Sequence, residues 1–383
     1  MRSSSAELVP LTAARGIAAA IVVLYHASMM VDDFVDRGAL PEAFRLGFVP
    51  LISSGYLAVD FFFVLSGFVI TKANLHVFVY SFKINTIAFF VMKRIGRIFF
   101  VNLAVLMFLV LKEFSKYHVQ GDIAPFTGPN TPGKWIESAL LVQTWVFGSG
   151  PTWNLVAWSL SVEWAAYLLF PVILLVLLRT FWPTMVFTAL AAIGGLAWLQ
   201  ASNPADTLHL TDHGAVVRGL CSFTLGMIVE LASRRHGLPQ RIGSWFGSGW
   251  NIAAATIAMA TLIVVGGHDW VTIPIFCYLV LALSLASRGA TAVLSISPLH
   301  LLGIWSFSLY LTHYTVLKLY TQLALRLFPD GKSPALVLGG MAAALIACVV
   351  VAALTHRLIE APGYKLTLRW ADALRRSRLS VAA

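Results

Sequence analysis

Arg15 and His26 close the two ends of an apolar run, "RGIAAAIVVLYH". One is a permanent cation and the other an imidazole that exchanges a proton near neutrality. Eleven helical residues turn through about 1100°, three turns plus roughly 20°, so both side chains share a face about 16 Å apart. Arg94 and Arg97, in "KRIGRIFF", lie three residues apart and also share a face. Guanidinium forks of this kind grip phosphate oxygens bidentately. Glu163, in "WSLSVEW", adds a carboxylate. An imidazole beside a carboxylate suits proton removal from a hydroxyl, the acid fixing the tautomer and stabilising the charged ring. The residue types therefore suggest group transfer from a phosphate-bearing donor to a hydroxyl acceptor.

The elements that position them must lie in a membrane. The chain has 383 residues, 58% hydrophobic and only 11% charged, with a mean hydropathy of +0.81. Soluble domains carry about 25% charged residues. An all-α, polytopic transmembrane helix bundle is expected. Windows of about 19 residues predict ten spans: 11–30, 50–72, 86–111, 153–178, 181–199, 215–232, 250–266, 271–287, 301–325 and 334–356. The segment 136–147 is too short for a core of about 30 Å and reads as interfacial or re-entrant. Arg15 interrupts what would be a signal peptide, so the first helix is expected to be retained. Residues 1–360 form the transmembrane domain in this reading, and 361–383 a basic cytoplasmic tail.

The net charge of +10 does not point to nucleic acid, because no basic run is interleaved with aromatics. It fits a positive-inside bias instead. With both termini cytoplasmic, inner loops hold twice as many Lys and Arg as outer ones, and the acids of "DDFVDRGALPE" and "ADTLHLTDH" fall outside. Arg15, Arg94 and Arg97 then lie near the cytoplasm, with His26 and Glu163 further out at similar depth. Cys221, Cys277 and Cys348 sit in apolar stretches without CxxC spacing, reading as buried thiols. No metal site is expected.

Several polar residues also have plain structural readings. Lys93, Lys318 and Glu230 suit snorkelling toward the interface. Asp60 suits a counter-ion for a buried arginine. Ser66, Ser159 and Ser161 suit helix packing, and His313 is balanced between packing and chemistry.

In chain order, these stretches resemble the acyltransferase 3 family of integral membrane O-acyltransferases. "RGIAAAIVVLYH" is similar to its Arg-x10-His opening, and "GYLAVDFFFVLSGFVIT" to its second block with Ser66-Gly67-Phe68. "RIGR" resembles its Arg-x-x-Arg pair, and "TWNLVAWSLSVEWAAYLLFP" the block containing Ser161-x-Glu163. "PLHLLGIWSFSLYLTHYTVL" and "HRLIEAPGY" resemble its closing stretches. Ala58, Phe100 and Phe307 depart from the usual Gly, Pro and Tyr. The likeness is to the stand-alone type, which lacks a fused extracytoplasmic domain.

The resemblance implies a multi-pass bacterial inner-membrane enzyme that takes a short acyl group, usually acetyl, from acyl-CoA. The acceptor would be a hydroxyl of a glycan or glycolipid at the outer side. His26 and Glu163 are then the catalytic candidates, and Arg15, Arg94, Arg97 and Ser66 the acyl-CoA-binding ones. Asp60, Ser161, Tyr310 and His313 are candidates for the substrate site. Whether His26 acts as base or carries the acyl group is open at this stage. A cytoplasmic small-molecule or lipo-oligosaccharide acceptor, or a transporter, are the alternatives. The sequence does not fix the oligomeric state.

Overall fold

The computed structural model describes residues 9–381 except 48, 121–125, 146–147, 149, 180–181, 213, 236–239 and 328–333. Arg2 and Lys332, part of the predicted charge bias, lie outside the described residues, as does part of the loop "RRHGLPQR". The described residues form helices and loops without a strand. In order the helices are α1 (Val9–Asp36), α2 (Pro50–Ser53), α3 (Ala58–Tyr80), α4 (Ile84–Gln120) and α5 (Pro132–Leu140). Then come α6 (Trp158–Arg179), α7 (Trp182–Ser202), α8 (Ala215–Arg235), α9 (Gln240–Phe246) and α10 (Gly249–Val264). The last are α11 (Asp269–Ser284), α12 (Arg288–Leu294), α13 (Ser297–Leu327), α14 (Pro334–Thr355) and α15 (Ala361–Val381).

Helices form because no other open structure satisfies its backbone groups in hydrocarbon. Each predicted span falls on one of them. Among the described residues, seven stretches are long and apolar enough to cross a membrane, or eight if α11 and α12, bent by 104°, form one span. The predicted count of ten also included α10 and α13. The first has only 16 residues. The second is long, but Ser306, Ser308, Thr312 and His313 interrupt its apolar surface. Segment 136–147 does not cross: α5 ends at Leu140, and the following turn enters the bundle, burying Leu141, Gln143 and Thr144.

Burial separates inner from outer helices. The apolar window of α3 is 72% buried, whereas those of α7 and α14 are 28% buried, which leaves Phe187, Leu190 and Ile346 for lipid. Around α3 pack α1, α8 and α11, and α13 lies between α1 and α14.

The α1–α13 contact sets the register of the site. The two helices run in parallel, with Gly16 facing Gly303. A Cβ on Gly16 would stand 2.6 Å from the Gly303 nitrogen, and one on Gly303 would stand 2.1 Å from the Thr12 carbonyl oxygen. Only hydrogen fits there. About 15 Å further along both helices, His26 faces His313 at the same sequence separation, 287 residues.

Candidate active site

A cavity of about 380 Å³ lies among α1, α3, α4, α6, α13 and α15. Its wall includes Arg15, Ser66, Arg94, Arg97, Glu163, Tyr167, Tyr310 and Tyr364. Residues picked out along nearly 300 positions of sequence thus converge on one chamber.

The two arginines of α4 are not equivalent. Arg97 forms an ion pair with Glu360, a carboxylate only 1% exposed. Glu360 also accepts a hydrogen bond from Ser308 Oγ at 2.7 Å and lies 3.0 Å from His356 Nδ1. Among the described residues Arg94 has no such carboxylate. Its guanidinium lies over the rings of Phe90 and Tyr167, at 5.3 and 5.5 Å, and its buried Nε has no hydrogen-bond partner. A buried donor left unmatched costs about 1–3 kcal/mol, so an incoming anion is stabilised at that point. Beside it, Glu163 accepts from Ser66 Oγ at 3.0 Å and from the Tyr167 hydroxyl.

His26 is not part of this chamber, and Glu163 is not its partner. His26 Nδ1 lies 3.0 Å from the Val22 carbonyl oxygen and 3.1 Å from His313 Nε2. His313 Nδ1 lies 3.0 Å from the Leu309 carbonyl oxygen. A carbonyl can only accept, so in the neutral pair both Nδ1 atoms carry hydrogen. His313 Nε2 then presents a lone pair to His26 Nδ1–H, and His26 Nε2 is left unprotonated. The predicted His26–Glu163 contact assumed that equal depth meant adjacency. Depth fixes a position along a helix but not the direction it faces, and Glu163 faces Ser66. Between chamber and imidazoles stands Tyr310, whose ring lines the cavity and lies 5.9 Å from the His313 ring. Ser159 Oγ donates to its hydroxyl at 2.7 Å, and that hydroxyl donates to the Val156 carbonyl at 3.2 Å.

Two candidates belong elsewhere. Asp60 is completely buried against Arg218, which is equally buried. Arg218 Nε lies 3.1 Å from both carboxylate oxygens, and Ser222 Oγ donates to Oδ1 at 3.1 Å. With Arg218 also donating to the Leu210 and Tyr56 carbonyls, this is a cross-link between α3 and α8. Ser161 accepts from Thr144 Oγ1 at 2.7 Å and so anchors the turn after α5. Neither lines the chamber. Glu230 pairs with Arg234 one turn away, and Lys93 covers the Phe89 ring at 4.3 Å.

A cluster that the sequence did not disclose lies beyond His26. The Tyr25 hydroxyl is 3.3 Å from His209 Nε2, and the Tyr56 hydroxyl donates to Asp269 at 2.7 Å. His209 sits in the loop after α7, where partial desolvation and then the Arg218 charge hold its imidazole below the usual range. Its only sequence cue was a histidine in a loop. Tyr167 and Tyr364 of the chamber, and Glu360 that holds Arg97, were also missed, because each resembles an ordinary helix residue.

Comparison with known proteins identifies the family. The chain is 25% identical over 334 residues to O-acetyltransferase OatA of Staphylococcus aureus, covering 81% of this chain and 53% of that protein. It is 27% identical over 351 residues to acyltransferase MdmB of Streptomyces mycarofaciens, covering 82% and 81%. The chain thus spans about half the length of the OatA proteins it matches. No solved structure matches. The acyltransferase-domain family matches residues 10–353, and a match over that length carries the conclusion: this multi-pass membrane protein belongs to the acyltransferase 3 family.

Proposed function

We propose that the protein transfers a short acyl group, in the first instance acetyl, from acyl-CoA to a hydroxyl of a glycan or glycolipid. The acyl-CoA enters from the cytoplasmic side, and the acceptor approaches from the outer side of a bacterial inner membrane. The reading rests on Arg94, a half-buried cation whose buried Nε is unmatched, in a chamber shared with Arg15. That end would take the phosphates, and the chamber's narrow bore suits the thin acyl-pantetheine arm. The relatives named O-acetyltransferase support acetyl and an oxygen acceptor.

At the inner end the acyl carbonyl would come up beside Tyr310, next to the histidine pair. His26 Nε2 removes the proton from the acceptor hydroxyl as its oxygen attacks the thioester carbon. The carbon–sulfur bond breaks, and the proton passes to the departing thiolate. While His26 is charged, its Nδ1–H donates to the Val22 carbonyl and to His313 Nε2, both charge-assisted bonds. An unprotonated Nε2 with Nδ1 already tied to backbone suits a general base. Glu163 instead balances the cationic wall of the chamber.

Arg94→Ala should raise the apparent acyl-CoA requirement about ten- to a hundredfold, given 1.5–3 kcal/mol for a charge-assisted contact. Arg94→Lys, lacking the fork, should recover only part. Unchanged acetyl-CoA affinity in Arg94→Ala would remove the donor from this chamber. Release of free CoA thiol on adding acceptor separates transfer from transport, and acylation of a soluble hydroxyl compound alone would favour the small-molecule reading. The orientation has its own check. A reporter in loop 203–212 should read external and one fused after Ala383 internal, and the reverse would exchange the sides of donor and acceptor.

A further inference from the structure

Residues beyond 353 lie outside the family match, and the sequence reading made 361–383 a basic cytoplasmic tail. The structure places α15 against the bundle, running back antiparallel along α4. Two contacts fix it. A Cβ on Gly363 would stand 2.6 Å from Phe100 Cγ, and a Cβ on Gly96 would stand 2.4 Å from Thr367 Oγ1. Thr367 is 1% exposed, and its hydroxyl donates within the helix to the Gly363 carbonyl at 2.9 Å, so its role against Gly96 is one of shape. Gly96 is one of the two residues between Arg94 and Arg97. Glu360, in the single π-turn that leads into α15, holds Arg97, and Tyr364 lines the chamber.

A solvated tail needs none of this. Its threonine would be exposed, and a side chain at 96 or 363 would cost nothing. Here the turn bearing both arginines is backed by α15 at near-backbone distance, and the chamber wall is unfinished without Tyr364. We propose that the first two turns of α15 are part of the donor site. Gly363 and Thr367 position the Arg94–Arg97 turn for the phosphates of a nucleotide donor, and Tyr364 closes the chamber beside it. The proposal rests on the acyl-CoA reading above, which its test keeps separate.

The test uses the purified full-length protein in detergent, with free coenzyme A as the binding probe and acetyl-CoA for kinetics. Gly363→Val, which drives a side chain into Phe100, should weaken CoA binding and raise the acetyl-CoA KM about tenfold, roughly the effect of 1.4 kcal/mol. The kcat should stay within about twofold, a split that general misfolding would not give. Adding Phe100→Ala to the same chain should restore most of the affinity. Tyr364→Ala creates no clash and should weaken binding about three- to tenfold, so it decides the matter if Gly363→Val fails to fold. If Arg94→Ala loses CoA while Tyr364→Ala and a folded Gly363→Val bind like wild type, α15 is only a surface helix and the proposal is overturned. If the wild-type protein itself does not bind CoA, the donor reading falls first and takes this proposal with it.

Discussion

His26→Gln is expected to leave the protein folded and able to bind acyl-CoA while transfer falls by about 10²–10⁴-fold, the usual contribution of a positioned general base. Glutamine keeps volume and polarity, and its amide can still meet the Val22 carbonyl, but it takes up no proton at neutral pH. Single-turnover release of CoA thiol, measured beside CoA binding, reads the two effects separately. The structure extends the prediction to His313. Removing its Nε2 in His313→Ala takes away an acceptor that stabilises the His26 cation, so the rate should fall while the acetyl-CoA KM holds. His313→Gln offers an amide oxygen near that place and should recover part of the loss. The two positions act as a unit, so the double variant should be less damaging than the product of the singles. A His26→Gln protein that turns over at near wild-type rate would make the imidazole pair a packing contact.

Asp60→Ala should produce the largest loss of stability, with no direct effect on chemistry. Removing one partner of a fully buried ion pair strands the other charge, at a typical cost of 3–5 kcal/mol. Here the stranded group is Arg218, which has no path to water and is bound on every side by Asp60, Tyr56 and Leu210. Thermal unfolding in detergent should show a much lower midpoint and poor recovery of folded protein. Replacing both partners with apolar side chains of similar volume, Asp60→Leu with Arg218→Met, should restore much of the stability, since such pairs are often dispensable as a unit. Asp60→Ala with a wild-type melting curve and lost transfer would instead return Asp60 to the substrate site.

What could be read from sequence follows from what lipid demands. Apolar stretches must be helical, so every predicted span falls on a helix. A cation kept in such a stretch needs a reason, so Arg15, Arg94 and Arg97 were visible, and they do line one chamber with Ser66, Glu163 and Tyr310. Spacing along one helix is also legible, hence the shared face of Arg15 and His26. Direction between helices is not. Glu163 and His26 have similar depth, yet Glu163 faces Ser66 while His26 faces His313, and no local pattern links residues 287 positions apart. Asp60 was legible as a counter-ion in kind, but not as the partner of Arg218. The C-terminal segment was misread because charge density suggests solvent, whereas the residues that dock α15 are Gly363 and Thr367, which leave no hydropathy signal.

The parallel pairing of α1 with α13 also bears on how the molecule is made. His26 on α1 leaves the ribosome well before His313 on α13. At about 5–20 residues per second, the 287 residues between them take roughly 15–60 s to synthesise. For that interval α1 has neither its glycine seam nor its imidazole partner, and Arg15 has no chamber around it. On the proposed mechanism a chain stalled anywhere before α13 has no complete site, whatever its inserted helices have achieved, and a nascent α1 depends on the insertion machinery or early neighbours to shelter its polar face.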